Sequence, residues 1–243
     1  MKLIKTIVAA VAMGGLLFAA SCNSGEEKKA DETAAKPDSS AVKPAEPIAP
    51  AKPSNLVIIK HKVANYAKWL TGYEGHDTAR VRFGLHNYVV GRGVKDSNMV
   101  IVILKMDDVE QAKAFGALPG LKEAMQKGGV IGKPEVQYLD MQMLDVSPTE
   151  SPLRMIVSHK VKDYDAWKKE FDSHKQARMD AGLTDRALGY EMGNNKMVTL
   201  ACVVSDMKKA EDFGASKDLK DKMQAAGVDG PPTIFFYTVA KKY

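Results

Sequence analysis

A chain of 243 residues has room for one large domain or two small ones. With 45% apolar and 27% charged residues it has a globular composition, and two cysteines are too few for a disulfide scaffold. The formal charge of +5 is modest, and basic residues are mixed with acidic ones rather than laid in a stripe with aromatics, so nucleic acid is excluded as a partner.

In chain order, residues 1–22 read as targeting sequence rather than fold. Lys2 and Lys5 precede an apolar run from Ile7 to Ala20. That run is too short for a comfortable membrane span of roughly 20 apolar residues. Ala19-Ala20-Ser21 then leads to Cys22, which resembles a bacterial lipoprotein signal, although Ala19 stands where such signals usually carry Leu. The resemblance implies that Cys22 is lipidated and holds the protein at the outer membrane, on its periplasmic or external face. Residues 23–54, rich in Pro, Ala, Lys, Glu and Ser, bury too little apolar surface to order themselves and read as a tether.

The remainder is a duplication. Residues 57–140 align with 155–238 without a gap, and roughly a third of the positions are identical. Two repeats follow, 55–146 and 153–243, joined by "DVSPTESP". Each begins with a branched-residue strand, "LVIIKHKV" or "RMIVSHKV". A helix follows, capped by Asn65 or Asp163, with an apolar stripe at Tyr66, Trp69 and Tyr73, or at Tyr164, Trp167 and Phe171. The same stripe carries His76 and Arg80, or His174 and Arg178, so one helix is expected to run through both. Gly84 and Gly182 stop it. A hairpin turns at "KDSN" and "GNNK" into "MVIVILKM" and "MVTLACVV". A second helix starts after Asp108 or Asp206, and Pro119 is expected to break it in the first repeat alone. "GVIGKP" and "GVDGPP" read as turns before the last strands, "EVQYLDMQML" and "TIFFYTVA".

Strand, helix, two strands, helix, strand is the ferredoxin-like order, which covers one sheet face with helices. Yet "MVIVIL" and "IFFY" are apolar at consecutive positions, as in strands covered on both sides. The fold class is therefore α+β, with two ferredoxin-like βαββαβ repeats packed sheet to sheet as an intramolecular dimeric barrel. That makes the chain a monomer with an internal pseudo-dimer. "VKDYDAWKKEFDSHKQARMDAGL", "DMKKAEDFGASKDLKDKMQAAGVDGPP" and their first-repeat counterparts resemble the antibiotic-biosynthesis-monooxygenase-like branch of the dimeric α/β-barrel superfamily. The resemblance covers about 55–140 and 153–240. It implies a fold; the activities it implies range over cofactor-free monooxygenases, isomerases and haem-binding proteins.

Residues kept in both repeats are the candidates for chemistry. His61 and His159 lie on the strand side that also carries Val57 and Val63, or Met155 and Val161. With His76, Arg80, His174 and Arg178 they are expected to meet at one end of each repeat, in a pocket lined by Trp69, Tyr73, Trp167 and Phe171. One reading gives neutral histidine as base and arginine as oxyanion partner. The other is structural, with histidine bonded to backbone or tyrosine while arginine seals a helix end or pairs with an acid. No spacing of His, Cys, Asp or Glu points to a metal, and no motif to a cofactor. Cys202, in an apolar run, reads as an inert buried thiol. The leading expectation is an envelope lipoprotein binding a small hydrophobic or aromatic molecule. The alternatives are a cofactor-free monooxygenase or isomerase, and a haem or tetrapyrrole binder.

Overall fold

The computed structural model describes residues 52–243. The targeting segment, Cys22 and most of the tether lie outside the described residues. The first repeat comprises β1 (Asn55–Val63), α1 (Tyr66–Gly75), α2 (Asp77–Arg82), β2 (Leu85–Gly93), β3 (Met99–Met106), α3 (Val109–Gly116), α4 (Pro119–Lys127) and β4 (Val130–Leu144). The second comprises β5 (Leu153–Val161), α5 (Tyr164–Ser173), α6 (Lys175–Asp180), β6 (Leu183–Glu191), β7 (Asn194–Val204), α7 (Met207–Ala215), α8 (Lys217–Ala225) and β8 (Val228–Lys242).

Local chemistry starts the helices where expected. The side chains of Asn65 and Asp163 accept from the Lys68 and Ala166 backbone N–H groups at 2.9 and 2.8 Å. Asp108 and Asp206 do the same for α3 and α7, at 2.8 and 3.0 Å. Each such cap contributes about 1 kcal/mol.

Three expectations are corrected. The first helix does not run through: it breaks at His76 and His174, which adopt φ −100°, ψ 15° and φ −96°, ψ 13°. Gly75 and Ser173, both weak helix formers, precede those breaks, and the Ser173 hydroxyl donates to the Glu170 carbonyl at 2.9 Å. The second helix breaks in both repeats, because Ser216 supplies the cap that starts α8, accepting from the Leu219 N–H at 3.1 Å. Finally, "GVIGKP" and "GVDGPP" are not turns but parts of β4 and β8, each 15 residues long. Gly132 (φ 73°) and Gly230 (φ 82°) take left-handed backbone there, where the pairing with β1 and β5 slips. That is a glycine bulge, which bends a strand without ending it.

Each repeat orders its strands as the ferredoxin-like pattern requires, β4-β1-β3-β2 and β8-β5-β7-β6. The two sheets do more than face each other. β2 pairs with β8 and β4 with β6, so eight antiparallel strands close a barrel and leave no free edge. The seams are close. A Cβ on Gly91 would lie 2.2 Å from Tyr237, and one on Gly189 would lie 2.7 Å from the Asp140 carbonyl oxygen. β1 and β5 stand opposite one another and run the same way, so equivalent residues of the two repeats lie at the same end of the barrel.

The core is layered accordingly. Val57, Trp69, Val100, Val102 and Phe115 pack between sheet and helices in the first repeat, as Met155, Trp167, Val198, Leu200 and Ala210 do in the second. A third cluster fills the lumen from both repeats and includes Leu56, Ile101, Met141, Ile156 and Tyr237. The strand faces without helices are thus buried against each other. His61 and His159, on the opposite strand face, point toward the helices.

Candidate functional site

Strand and helix build the same stack in each repeat. The His61 ring lies 5.4 Å from Trp69, Trp69 stacks on Tyr73 at 5.1 Å, and the Arg80 guanidinium lies 3.9 Å from the Tyr73 ring centroid. In the second repeat the distances are 5.4 Å (His159–Trp167), 5.0 Å (Trp167–Phe171) and 3.6 Å (Arg178–Phe171). Helix spacing sets the two aromatic members, since residues four apart share a face. Strand alternation brings the histidine to it.

The arginines at the far end of the stack are engaged by protein. Arg178 donates to both carboxylate oxygens of Asp185, at 2.9 and 2.7 Å, and to the Phe171 carbonyl at 2.6 Å. It therefore ties α6 to β6 and seals the end of α5. Arg80 donates to the Tyr73 carbonyl at 2.7 Å and more weakly to Asp77 at 3.4 Å. The Tyr73 hydroxyl donates to Asn87, which takes the place of Asp185.

The histidines at the near end differ. His61 and His159 are buried, and among the described residues neither ring nitrogen of either has a hydrogen-bond partner. Burial lowers both pKa values to about 4, so both rings are neutral at physiological pH. Leaving a buried polar group unpaired costs about 1–3 kcal/mol, and native proteins usually avoid it.

In the second repeat this ring borders a cavity of about 130 Å³. Its floor is strand: Met155, Val157, His159 and Leu200. Its roof is helix, with Trp167 and Phe171 from α5, Phe213 from α7, and Leu219 and Met223 from α8. The mouth is polar, because His174 bonds Asp218 at 2.8 Å and Lys222 faces Glu170 at 3.5 Å. The arrangement is an apolar slot, about the size of the engineered cavities that accept one benzene ring, with a single unsatisfied imidazole in its wall.

The helix histidines do not join the strand histidines in the way the stripe predicts. His76 is exposed and bonds the Gly72 carbonyl oxygen through Nδ1 at 2.7 Å. His174 lines the slot, but from its mouth, beside Phe213. The helix break at His76 leaves that residue turned out to solvent. Cys202 is fully buried, and burial next to Asp185 pushes its thiol pKa up. Among the described residues no group of three or more His, Cys, Asp or Glu is placed to hold a metal ion.

No family model and no curated protein matches the sequence. Solved structures do. A candidate monooxygenase of Fusobacterium nucleatum superposes with TM-score 0.52 at 13% identity, covering 77% of this chain and 92% of that one. An anthrone oxidase-like protein gives 0.52 at 12%, covering 79% and 93%. A candidate monooxygenase of Lactobacillus acidophilus gives 0.50 at 12%, covering 77% and 94%. This chain has the dimeric α/β-barrel fold. At such identities the likeness is one of fold, and function has to be argued from the site.

Within that barrel fold, the stacks are identical or nearly so in the two repeats, whereas their partners differ and leave no mark among the shared residues. Asp185 is Asn87 in the first repeat, Asp218 is Gly120 and Glu170 is Gly72. The visible signal was acids present in one repeat and absent from the other.

Proposed function

We propose that this protein is a small-molecule binding protein, and that the slot between sheet and helices of the second repeat takes one aromatic ring bearing a hydrogen-bonding group. The observation that carries the reading is the His159 imidazole, unpartnered at both nitrogens in the wall of an apolar cavity. Both nitrogens are covered as the ring stands, so a hydroxyl or carbonyl in the slot would satisfy one of them as the imidazole turns toward the cavity, while Trp167 and Phe171 hold the ligand ring. His61 and Trp69 repeat the same geometry in the first repeat. We further infer that the lipid on Cys22 keeps the barrel at the outer membrane.

The runner-up is a cofactor-free oxygenase or isomerase, with His159 or His61 as base and Arg178 or Arg80 as anion partner. A base whose conjugate acid has a pKa of about 4 is weak at neutral pH, and Arg178 already holds Asp185. Both facts favour binding over proton abstraction. A haem would need several times the volume of this slot, hence separation of α7 and α8 from the sheet.

Native mass spectrometry of the protein taken from its own envelope tests the reading. The expected result is a noncovalent adduct of one-ring size that a His159→Leu variant does not retain. An adduct equally retained by that variant would overturn it. Oxygen uptake with phenols, lost in the same variant, would promote the enzyme reading instead.

A further inference from the structure

The lumen of the barrel holds a larger cavity, about 360 Å³, within the size range of small-molecule sites. It lies at one end, under the linker between repeats, and equivalent residues of the two repeats face each other across it. Their differences create it. Ala201 and Ala187 of the second repeat stand where the first has Ile103 and Val89, which opens volume. Arg154 and Arg186 stand where the first has Leu56 and Tyr88, which brings charge.

The charge is unbalanced. Four cationic side chains line the cavity (Lys105, Arg154, Arg186 and Lys242), and Asp145 is the one acid among the lining residues. Asp145 is already committed to Arg186, at 2.6 Å. Arg154 is buried, and its partners are all neutral: the Ser151 and Leu153 carbonyls at 2.5 and 2.9 Å and the Thr149 hydroxyl at 2.5 Å. Burial and the neighbouring Arg186 both push its pKa down. A buried guanidinium with no carboxylate is costly unless an anion arrives. Deeper in, the walls are Ile58, Ile103, Leu139, Met141 and Ile156, with Tyr237.

We propose that this lumen is a ligand site for an amphipathic anion, whose apolar tail fills the barrel while a carboxylate or phosphate head meets Arg154 and Arg186. Guanidinium binds both head types through paired hydrogen bonds. The site is independent of the slot beside His159, which opens on the other face of the sheet.

Isothermal titration of the full chain with dodecanoate, dodecyl phosphate and dodecanol, each below its micellar concentration, tests this. One anion should bind at one site per chain, with the neutral alcohol weaker by at least about tenfold. The tighter of the two anions tells a carboxylate source from a phosphate one. Arg154→Leu should remove the preference for the anion. Ala201→Ile, which restores the first repeat's residue, should abolish binding of all three, and His159→Leu should change nothing. Thermal melting verifies that each variant is folded. Equal affinity for alcohol and anions, no saturable binding of any probe, or binding untouched by Ala201→Ile would overturn the proposal.

Discussion

Arg178 grips Asp185 through two parallel hydrogen bonds, with both side chains largely shielded from water. The matching Arg80 has Asn87 in that place, and its own carboxylate, Asp77, is half exposed and 3.4 Å away. Removing one member of a buried ion pair typically costs about 3–5 kcal/mol, whereas an exposed pair contributes about 1 kcal/mol or less. Arg178→Ala should therefore destabilise the fold by about 3 kcal/mol or more in urea unfolding, and clearly more than Arg80→Ala does. Equal losses would show that the carboxylate is not what anchors α6.

Acid should weaken the fold through His61 and His159. Their folded pKa is about 4 against an ordinary 6.5, so the unfolded chain binds more protons between those values. Stability from these rings is full above pH 6.5 and is lost as pH falls toward 4, on the order of 3 kcal/mol per ring. A His61→Leu/His159→Leu variant should be at least as stable as the parent at pH 7.5, and its advantage should grow at pH 5. Parallel pH profiles would mean that the rings are not the source of the acid lability.

The seams of the barrel admit no side chain at Gly91 or Gly189. Gly91→Ala drives a methyl into Tyr237, and Gly189→Ala drives one against the Asp140 carbonyl. Overpacking of this kind costs about 1–3 kcal/mol. Each variant should lower the melting temperature, and hydrogen exchange should rise first in β8 for Gly91→Ala and in β4 for Gly189→Ala. Unchanged protection along both strands would argue against closed seams.

The lipid proposed on Cys22 has its own test. Palmitate labelling of the producing cells should mark the parent chain and not a Cys22→Ala variant, which should leave the membrane fraction. Labelling of both would place the lipid elsewhere.

Most of the fold was legible because duplication and patterning agree. Asn65, Asp163, Asp108 and Asp206 named the helix starts, and consecutive apolar residues in "MVIVIL" required a cover on both faces. Pro119 marked the break between α3 and α4, but the breaks at His76 and His174 were not legible, because both residues keep the apolar spacing even where the backbone leaves the helix. Strand alternation correctly put His61 and His159 on the helix side. That their nitrogens would find no partner depends on what packs around them, which no single sequence displays. The lumen was missed for a different reason. Arg154, Arg186, Ala187 and Ala201 are departures from the repeat, so none of them stands among the residues the two copies share.

The most direct measurement is a calorimetric comparison of phenol with benzene, two ligands of nearly the same shape, on the parent chain and on His159→Leu. Phenol should bind saturably and about tenfold more tightly than benzene in the parent, and that preference should disappear in the variant while benzene binding persists. Equal affinity for the two ligands in the parent, or a phenol preference that survives without His159, would contradict this reading of the slot.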